Sequence, residues 1–334
     1  MPVEVKMKLR DIMNNIPREK LAPLPTPLQR LENTEKLIGA NNKMYIKRDD
    51  LTGVGSGGNK VRCMEYIIGR AKADGCVGVL ASGNGQSNLC SLAAASAAKA
   101  GMKCYIVHNS DKPETSVGNA LLNDLLGVER EYMGACDSSI REKYVYEVID
   151  RLAEKGEKYY LIRNGATTGH GALGYVNAII ELVDQCEKEK LNIKHIFAPG
   201  GNGGIASGLV YGNALMGFPF TVHIISVEDT KPVLIEHIEN TIKEIEEITG
   251  LAFEFEVDKA ADIVDKYMGD GWSCNTPESE NEVLEFVRTE GIYIENVYTS
   301  KLMYGYKDMV KNGMVDGDSA VIHTGGFGSL FSQY

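Results

Sequence analysis

The sequence predicts an α/β protein that consists of two doubly wound domains with largely parallel sheets. Short apolar runs rich in β-branched residues alternate along the chain with longer segments of helical period. These runs contain few polar residues, as expected for parallel strands that helices cover on both faces. The length of 334 residues is enough for about two domains of roughly 150 residues each.

The strands and helices follow from these runs in chain order. Strands are predicted at residues 44–46, 77–81, 104–107, 196–198, 221–227 and 320–322. Helices are predicted at residues 61–73, 86–100, 172–189, 205–216 and 277–290. In the acidic segment after Pro232, the spacing of Ile238, Ile242 and Ile245 predicts an amphipathic surface helix. The glycine-rich segment 164–174 predicts a crossing between the two domains, because glycines permit sharp turns.

The composition excludes several classes of protein. With 43% hydrophobic and 24% charged residues, the chain is neither disordered nor membrane-embedded. Its formal charge of −11 repels phosphodiesters and anionic lipids, so we expect no nucleic-acid partner and no membrane association. Residues 1–20 lack the apolar core of a signal peptide. Together with seven scattered cysteines that form no C-x-x-C pair, this predicts a cytoplasmic protein with reduced thiols. Six histidines without metal-binding spacing predict no metal site.

The first glycine-rich motif is GVGSGGNKVR at residues 53–62. Gly57 and Gly58 would let a planar cofactor approach the backbone, and Lys60 could form a Schiff base if it lies in a partly dry pocket. A lysine in such a loop is more often simply solvated.

The second motif, ASGNGQSNL at 81–89, follows an apolar strand and precedes an alanine-rich helix. Ser87 and Asn88 could be ordinary helix caps, or they could bind a carboxylate together with the free N–H groups of the helix start.

The third motif, PGGNGGIASG at 199–208, contains G-x-G-x-x-A at Gly201, Gly203 and Ala206. A dinucleotide-binding interpretation is therefore open, with Glu228 after the next strand as the ribose ligand. In either case the motif offers backbone N–H groups to a phosphate at a helix N-terminus. A Schiff-base lysine, a carboxylate receptor and a phosphate cradle are together the parts needed to hold pyridoxal phosphate and an amino acid.

These motifs resemble those of the fold type II pyridoxal-phosphate enzymes, and more narrowly the D-cysteine desulfhydrase and 1-aminocyclopropane-1-carboxylate deaminase family. The matching stretches run in family order over nearly the whole chain: LPTPLQRLE (24–32), YIKRDDLTGVGSGGNKVR (45–62), SGNGQSN (82–88), GALGYV (171–176), the glycine loop (200–204), ENVYTSK (295–301) and IHTGG (322–326). The resemblance implies a large cofactor domain of residues 1–63 and 173–334, a small domain of residues 64–172, an active site between them, and a homodimer.

The resemblance also assigns roles to individual residues. Lys60 would be the Schiff-base lysine and the base for the α-proton, and Asn88 would bond the ring hydroxyl of the cofactor. Ser87 and Tyr298 would lie beside the substrate. The backbone that holds the phosphate would be that of Gly201, Asn202, Gly203, Gly204 and Ile205.

Position 299 separates the two activities of the family. It corresponds to the residue that faces the pyridine nitrogen, where a carboxylate would keep the nitrogen protonated and make the ring a strong electron sink. The deaminase pattern has glutamate there, whereas this chain has Thr299, as desulfhydrase-like members do. A neutral hydroxyl favours β-elimination of a good leaving group over the opening of a carbocycle.

Three positions depart from the family pattern. Cys63 stands where a lysine commonly assists the phosphate, Leu89 replaces a polar residue after S-N, and Trp272 occupies the place of a second tyrosine. Leu89 and Trp272 would therefore reshape the substrate pocket.

The leading hypothesis is a pyridoxal-phosphate lyase that converts a small amino acid such as D-cysteine to pyruvate, ammonia and sulfide. Alternatives within the class are a 1-aminocyclopropane-1-carboxylate deaminase and a lyase for another β-substituted, for example sulfonated, amino acid. A nicotinamide-dependent dehydrogenase and a non-catalytic cofactor-binding protein are the alternatives outside it.

Overall fold

A computed structural model describes residues 3–334 and contains two mainly parallel sheets. The larger sheet has the strand order β1-β2-β10-β7-β8-β9, with β1 antiparallel to β2, and the smaller, all-parallel sheet has the order β5-β4-β3-β6. The predicted α/β class with parallel sheets is thereby confirmed. The strands are β1 (Leu28–Arg30), β2 (Met44–Lys47), β3 (Gly78–Gly83), β4 (Lys103–His108), β5 (Glu129–Tyr132), β6 (Tyr159–Leu161), β7 (Ile193–Gly200), β8 (Thr221–Ser226), β9 (Asp262–Val264) and β10 (Asp318–Ile322).

Helices cover both sheets, and short 3₁₀ turns lie at Asp49–Leu51 and Asn164–Ala166. The helices are α1 (Val3–Asn15), α2 (Glu32–Ile38), α3 (Lys60–Ala73), α4 (Asn88–Lys99), α5 (Gly118–Leu125), α6 (Ser138–Glu154), α7 (Gly169–Glu189), α8 (Gly204–Leu215), α9 (Lys231–Thr249), α10 (Val257–Ala260), α11 (Pro277–Glu290), α12 (Thr299–Lys311) and α13 (Phe327–Leu330).

The six predicted strands coincide with β2, β3, β4, β7, β8 and β10, and the five predicted helices with α3, α4, α7, α8 and α11. The helix expected after Pro232 is α9, in which Ile238, Ile242 and Ile245 are buried. The strands that sequence reasoning did not find, β1, β5, β6 and β9, are three or four residues long and lie at or beside sheet edges. Such strands give too short a pattern to be recognised.

Residues 164–168 of the glycine-rich segment connect the smaller sheet to α7, and residues 169–174 are the first residues of that helix, which packs against helices of the larger sheet. All four strands of the smaller sheet lie between residues 78 and 161. The domain boundaries at residues 63/64 and 172/173 stay a prediction.

Close packing of α7 on α8 requires glycine. A Cβ at Gly208 would lie 2.1 Å from the carbonyl oxygen of Ala172, and a Cβ at Gly212 would lie 3.1 Å from the Cα of Val176. The two helices can therefore approach closely enough to exclude water from the apolar core behind β7, where burial of apolar surface stabilises the fold.

Across residues 3–334, no helix combines the length and the apolar character that a bilayer crossing requires. The same residues bring together no group of three or more His, Cys, Asp or Glu side chains suited to a metal ion.

Candidate active site

The carboxyl ends of β3, β4, β7, β8 and β10 face a cavity of about 650 Å³ between the two sheets. Crevices at the carboxyl ends of parallel strands are the usual ligand sites of open α/β sheets. The cavity brings together these residues predicted from sequence: Lys60, Ser87, Asn88, Leu89, Gly201, Asn202, Gly203, Gly204, Ile205, Trp272 and Tyr298.

Lys60 is the first residue of α3 and follows a turn that only glycine can form. Gly57 and Gly58 have φ angles of 76° and 138°, and a Cβ at Gly57 would lie 1.8 Å from the carbonyl oxygen of Asp50. The hydroxyl of Thr52 fixes the turn, because it accepts from the N–H of Gly58 at 2.9 Å and donates to its carbonyl at 3.2 Å. The turn thus aims the side chain of Lys60 into the cavity.

The surroundings of Lys60 favour the uncharged form of its amine. Its Nζ donates to the carbonyl of Gly165 at 2.6 Å. Burial lowers the pKa of Lys60 from its usual value, although the neighbouring Cys63 and Glu228 oppose this shift. A larger share of the side chain is therefore the uncharged amine, the form that can form a Schiff base or take up a proton.

The loop after β7 forms an anion cradle at the start of α8. Gly203 has a φ of 83° and no side-chain hydrogen bond caps the helix, so the first N–H groups of α8 remain available. The hydroxyl oxygen of Thr167 is buried and has no hydrogen-bond partner among the described residues. A Cβ at Gly204 would lie 3.1 Å from this oxygen and would occupy the cradle. An orphaned hydroxyl beside free N–H groups fits the phosphate of pyridoxal phosphate.

Asn88 is oriented by a residue that the sequence analysis did not identify. Asn119 in α5 donates from Nδ2 to Oδ1 of Asn88 at 2.7 Å and to the carbonyl of Gln86 at 2.9 Å. With its Oδ1 engaged, Asn88 can turn its own amide N–H groups towards a ligand. Ser87 caps α4 by accepting from the N–H of Cys90 at 3.3 Å. Ser87 therefore caps the helix and also lines the cavity.

Tyr298 and Trp272 form one wall of the cavity. The indole N–H of Trp272 donates to the hydroxyl oxygen of Tyr298 at 2.8 Å. Burial raises the pKa of Tyr298 above its usual value in spite of this bond. The phenol therefore keeps its proton at neutral pH and can donate a hydrogen bond to a ligand.

Lys301 fixes the loop that carries Trp272, and sequence reasoning gave it no role. Its ammonium is fully buried and donates to the carbonyls of Met268 at 2.7 Å, Gly271 at 2.6 Å and Val227 at 3.2 Å. All three hydrogens are thus used to join α12 to the end of β8 and to the loop before Trp272.

Thr299 is 2% exposed and is not among the residues that line the cavity. Its hydroxyl accepts from the N–H of Glu295 at 2.7 Å and lies 3.1 Å from both the carbonyl and Oε1 of that residue. Glu295 and Thr324 line the cavity instead. The carboxylate of Glu295 accepts the backbone N–H groups of residues 297–299 at 2.8 Å, and so caps α12. The role of Thr299 opposite the pyridine nitrogen stays a prediction.

The other departures from the family pattern lie in different surroundings. Cys63 is 2% exposed and its Sγ contacts the carbonyl of Asn59 at 3.7 Å, so this position faces the core. Leu89 is 4% exposed and contributes an apolar surface to the cavity.

Glu228 lines the cavity beside the anion cradle, where Asn202 donates to it at 3.4 Å. Burial raises the pKa of Glu228, and the neighbouring Asp229 adds to the shift.

Comparison with known proteins identifies the group to which these features belong. The sequence model of the family described as "Pyridoxal-phosphate dependent enzyme" matches residues 20–325. A Pyrococcus abyssi protein named "Putative 1-aminocyclopropane-1-carboxylate deaminase" is 31% identical over 325 residues, which cover 97% of this chain and 96% of the relative. The D-cysteine desulfhydrase of Salmonella typhi is 30% identical over 331 residues, which cover 96% and 98% of the two chains.

Solved structures agree with this assignment. The crystal structure of an "ACC deaminase homologue" superimposes with a TM-score of 0.89 at 33% identity and covers 97% of this chain and 96% of that one. Threonine deaminase isoform 2 from Solanum lycopersicum shares the fold, with a TM-score of 0.67 at 14% identity and coverage of 98% and 90%. The family model names pyridoxal phosphate, so it does not support a dinucleotide as the cofactor, and the role of the glycine loop at 200–204 in holding the phosphate stays a prediction. The chain belongs to the pyridoxal-phosphate dependent enzymes of fold type II, within the family that includes 1-aminocyclopropane-1-carboxylate deaminases and D-cysteine desulfhydrases.

Proposed function

We propose that this protein is a lyase that removes a leaving group from the β-carbon of a small amino acid, with D-cysteine as the first candidate substrate. The observation that carries the proposal is the amine of Lys60, which lies in the cavity with a lowered pKa. D-Cysteine and water would give pyruvate, ammonia and sulfide.

Pyridoxal phosphate, when bound, supplies an electron sink for the bond that breaks at the α-carbon of the substrate. The residues of this chain would hold it through the free N–H groups of α8, the hydroxyl of Thr167, the amide of Asn88 and a covalent bond to Lys60.

Lys60 would be the base for the α-proton of the substrate, because burial lowers the pKa of its amine. Ser87 and the N-terminus of α4 offer hydrogen-bond donors to the substrate carboxylate. The sulfur of cysteine would then leave with the electrons of its bond to the β-carbon, and the hydroxyl of Tyr298 in the cavity wall can donate a hydrogen bond to it. The released 2-aminoacrylate takes up water and yields pyruvate and ammonia.

β-Elimination is favoured over ring opening by the residue type at position 299. Thr299 brings no charge, and the neighbouring carboxylate of Glu295 is engaged with three backbone N–H groups. The deaminase alternative is favoured by the names of several relatives, including the Pyrococcus abyssi protein. A lyase for another β-substituted amino acid is the third candidate, because Leu89 and Trp272 shape the pocket.

The decisive experiment has two parts. Borohydride reduction of the purified holoenzyme and peptide mapping should place a pyridoxyl group on Lys60. Steady-state rates are then compared for D-cysteine, L-cysteine and 1-aminocyclopropane-1-carboxylate, with sulfide and oxo acid as the measured products. We expect the highest kcat/KM for a cysteine. Consumption of the cyclopropane without sulfide release from either cysteine would overturn the proposal in favour of the deaminase. A labelled Lys60 without turnover of any amino acid would indicate a binding protein.

We further propose that the protein is a cytoplasmic homodimer. All seven cysteines are free, which supports a reducing compartment, and the family resemblance supports the dimer. Light scattering coupled to size-exclusion chromatography would test the dimer, since a single chain has a mass of 36.5 kDa.

A further inference from the structure

Arg141 is a buried cation in the cavity wall and forms no ion pair with any of residues 3–334. It lies in the first turn of α6, is 4% exposed and lines the cavity. Its Nε donates to the hydroxyl of Ser82 at 3.1 Å and its Nη1 to Oδ1 of Asn109 at 2.8 Å. Within the described residues, these two are the hydrogen bonds of the guanidinium, so Nη2 donates to no protein group.

An isolated buried charge is unfavourable unless an opposite charge compensates it. The partners of Arg141, a hydroxyl and an amide, are neutral and satisfy only two of the five guanidinium hydrogens. Nη2 therefore remains able to bind an anion that enters the cavity.

The surroundings of Arg141 hold it in place. Asn109 accepts from Arg141 and donates from Nδ2 to the carbonyl of Cys136 at 2.8 Å, so that it joins β4 to the loop before α6. Residues 136–138 and Asn109 line the cavity with Arg141. The side chain of Asp137 makes no capping bond at the helix start, and the N–H groups of the first turn add to the positive potential there. Asp137 itself is exposed and forms no ion pair with Arg141.

We propose that Arg141 binds a second acidic group of the substrate, so that amino acids whose β-substituent carries a sulfonate, carboxylate or phosphate are substrates in addition to cysteine. This inference rests on the proposed function, in which Ser87 and the start of α4 receive the α-carboxylate. Nη donors in the planar guanidinium suit the paired oxygens of such groups.

Arg141 lies close to the predicted carboxylate receptor. Ser82 precedes Gly83, where a Cβ would lie 2.6 Å from the hydroxyl oxygen of Ser87. The same chemistry could therefore serve the α-carboxylate, which every amino-acid substrate has. Substrates that share the α-carboxylate but differ in their leaving group show whether Arg141 binds the α-carboxylate or an acidic β-substituent.

The test compares the wild-type holoenzyme with Arg141→Gln on β-chloroalanine, which has a neutral β-substituent in its intact form, and on cysteate and O-phosphoserine, which have acidic ones. We expect the variant to lose about 10- to 100-fold in kcat/KM on the acidic substrates, mainly through KM, since a hydrogen bond to a charged group is lost. Turnover of β-chloroalanine should change by less than about threefold. Arg151→Gln removes an exposed arginine from the same helix and should change none of these values.

Each outcome has a defined meaning. Equal losses on all substrates would assign Arg141 to the α-carboxylate and overturn the proposal, as would a wild-type enzyme that turns over β-chloroalanine but neither of the acidic substrates. Absence of turnover on every substrate, β-chloroalanine included, would instead contradict the proposed lyase function. The inference would still be tested by calorimetric titration of the holoenzyme with methanesulfonate, in which we expect binding to the wild type and to Arg151→Gln but not to Arg141→Gln. No binding to the wild type would overturn it even if the Arg141 variant did not fold.

Discussion

Basic side chains in two regions of the molecule have different partners. In the core cluster, formed by Lys47, Asp49, Arg62 and Glu181, Arg62 pairs with both carboxylates at 2.8 Å and Lys47 pairs with Glu181. In the cavity, Lys60 donates to one carbonyl and Arg141 to two neutral side chains.

The two regions differ in which group compensates the positive charge of each basic side chain. In the core cluster the compensating charges belong to the fold, and the hydroxyl of Tyr175 donates to Asp49 as well. In the cavity the compensation has to come from a ligand, either by conversion of the amine to a Schiff base or by contact with an anion. We therefore expect substitutions in the core cluster to affect folding and substitutions in the cavity to affect function.

Lys60→Ala is expected to have the largest effect and tests the prediction that substitutions in the cavity affect function. Turnover should fall by at least about 10⁴-fold, because the variant lacks both the covalent attachment and the base. The free energy of unfolding should change little, because a desolvated ammonium is removed. Rates and urea unfolding curves of the apoenzyme would check both statements. Lys72→Ala, on the exposed face of the same helix, should leave turnover unchanged, and residual activity of Lys60→Ala above this limit would contradict the assigned role.

Arg62→Met tests the core cluster. The substitution leaves Asp49 and Glu181 without their main partner, and Asp49 is 0% exposed. Unpaired buried charges of this kind lower the free energy of unfolding by about 3–5 kcal/mol. Urea unfolding should show this loss, whereas Arg70→Met, which removes an exposed pair with Asp74 on the same helix, should change stability by less than about 1 kcal/mol. Equal effects of the two substitutions would remove the distinction between the core cluster and the surface.

Thr167→Val tests whether the orphaned hydroxyl in the cavity contacts the phosphate. The variant keeps the shape of the side chain and loses one hydrogen bond to a charged group, so the affinity of the apoenzyme for pyridoxal phosphate should fall about 10- to 100-fold. Thr167→Ser retains the hydroxyl and should bind like the wild type. Titration of the apoenzyme, followed by cofactor absorbance, measures both. Unchanged affinity of the valine variant would show that the phosphate relies on the backbone of the loop alone.

Residues predicted from sequence line one cavity because the motifs that contain them are local. The glycine-rich turns before Lys60, at 81–89 and at 199–208 each follow a strand and precede a helix, and parallel strands bring such loops to one edge. A lysine and a helix start can be recognised in this way from neighbouring residues alone.

The residues that were missed act across the fold. Asn119, Thr167 and Arg141 lie in segments whose local pattern is that of an ordinary helix or loop. Asn119 contacts Asn88, which is 31 residues away in the chain, and Arg141 contacts Asn109, which is 32 residues away. Only the packing of the two sheets shows which of these polar groups lack compensation. Thr299 is the opposite case, because the sequence predicted that it faces the cofactor. In the structure its hydroxyl accepts a hydrogen bond from the N–H of Glu295 in the same turn.

The smallest expected effect concerns Glu228, an anion placed beside an anion site. A Cβ at Gly201 would lie 3.4 Å from Oε2 of Glu228, so the ionised carboxylate is close to the phosphate cradle and should weaken phosphate binding. Glu228→Gln should therefore raise the affinity for pyridoxal phosphate by about two- to tenfold above the pKa of Glu228.

The gain in cofactor affinity from Glu228→Gln should depend on pH. Burial raises the pKa of Glu228, so the carboxyl group becomes neutral on acidification sooner than an exposed glutamate does, and the difference between variant and wild type should vanish as the pH falls through that value. Cofactor titrations of the apoenzyme across the acid to neutral range measure this difference. Glu239→Gln removes the same charge from the exposed face of α9 and should show no such trend. A difference that persists at low pH would mean that Glu228 affects the loop through the hydrogen bond from Asn202 and not through its charge.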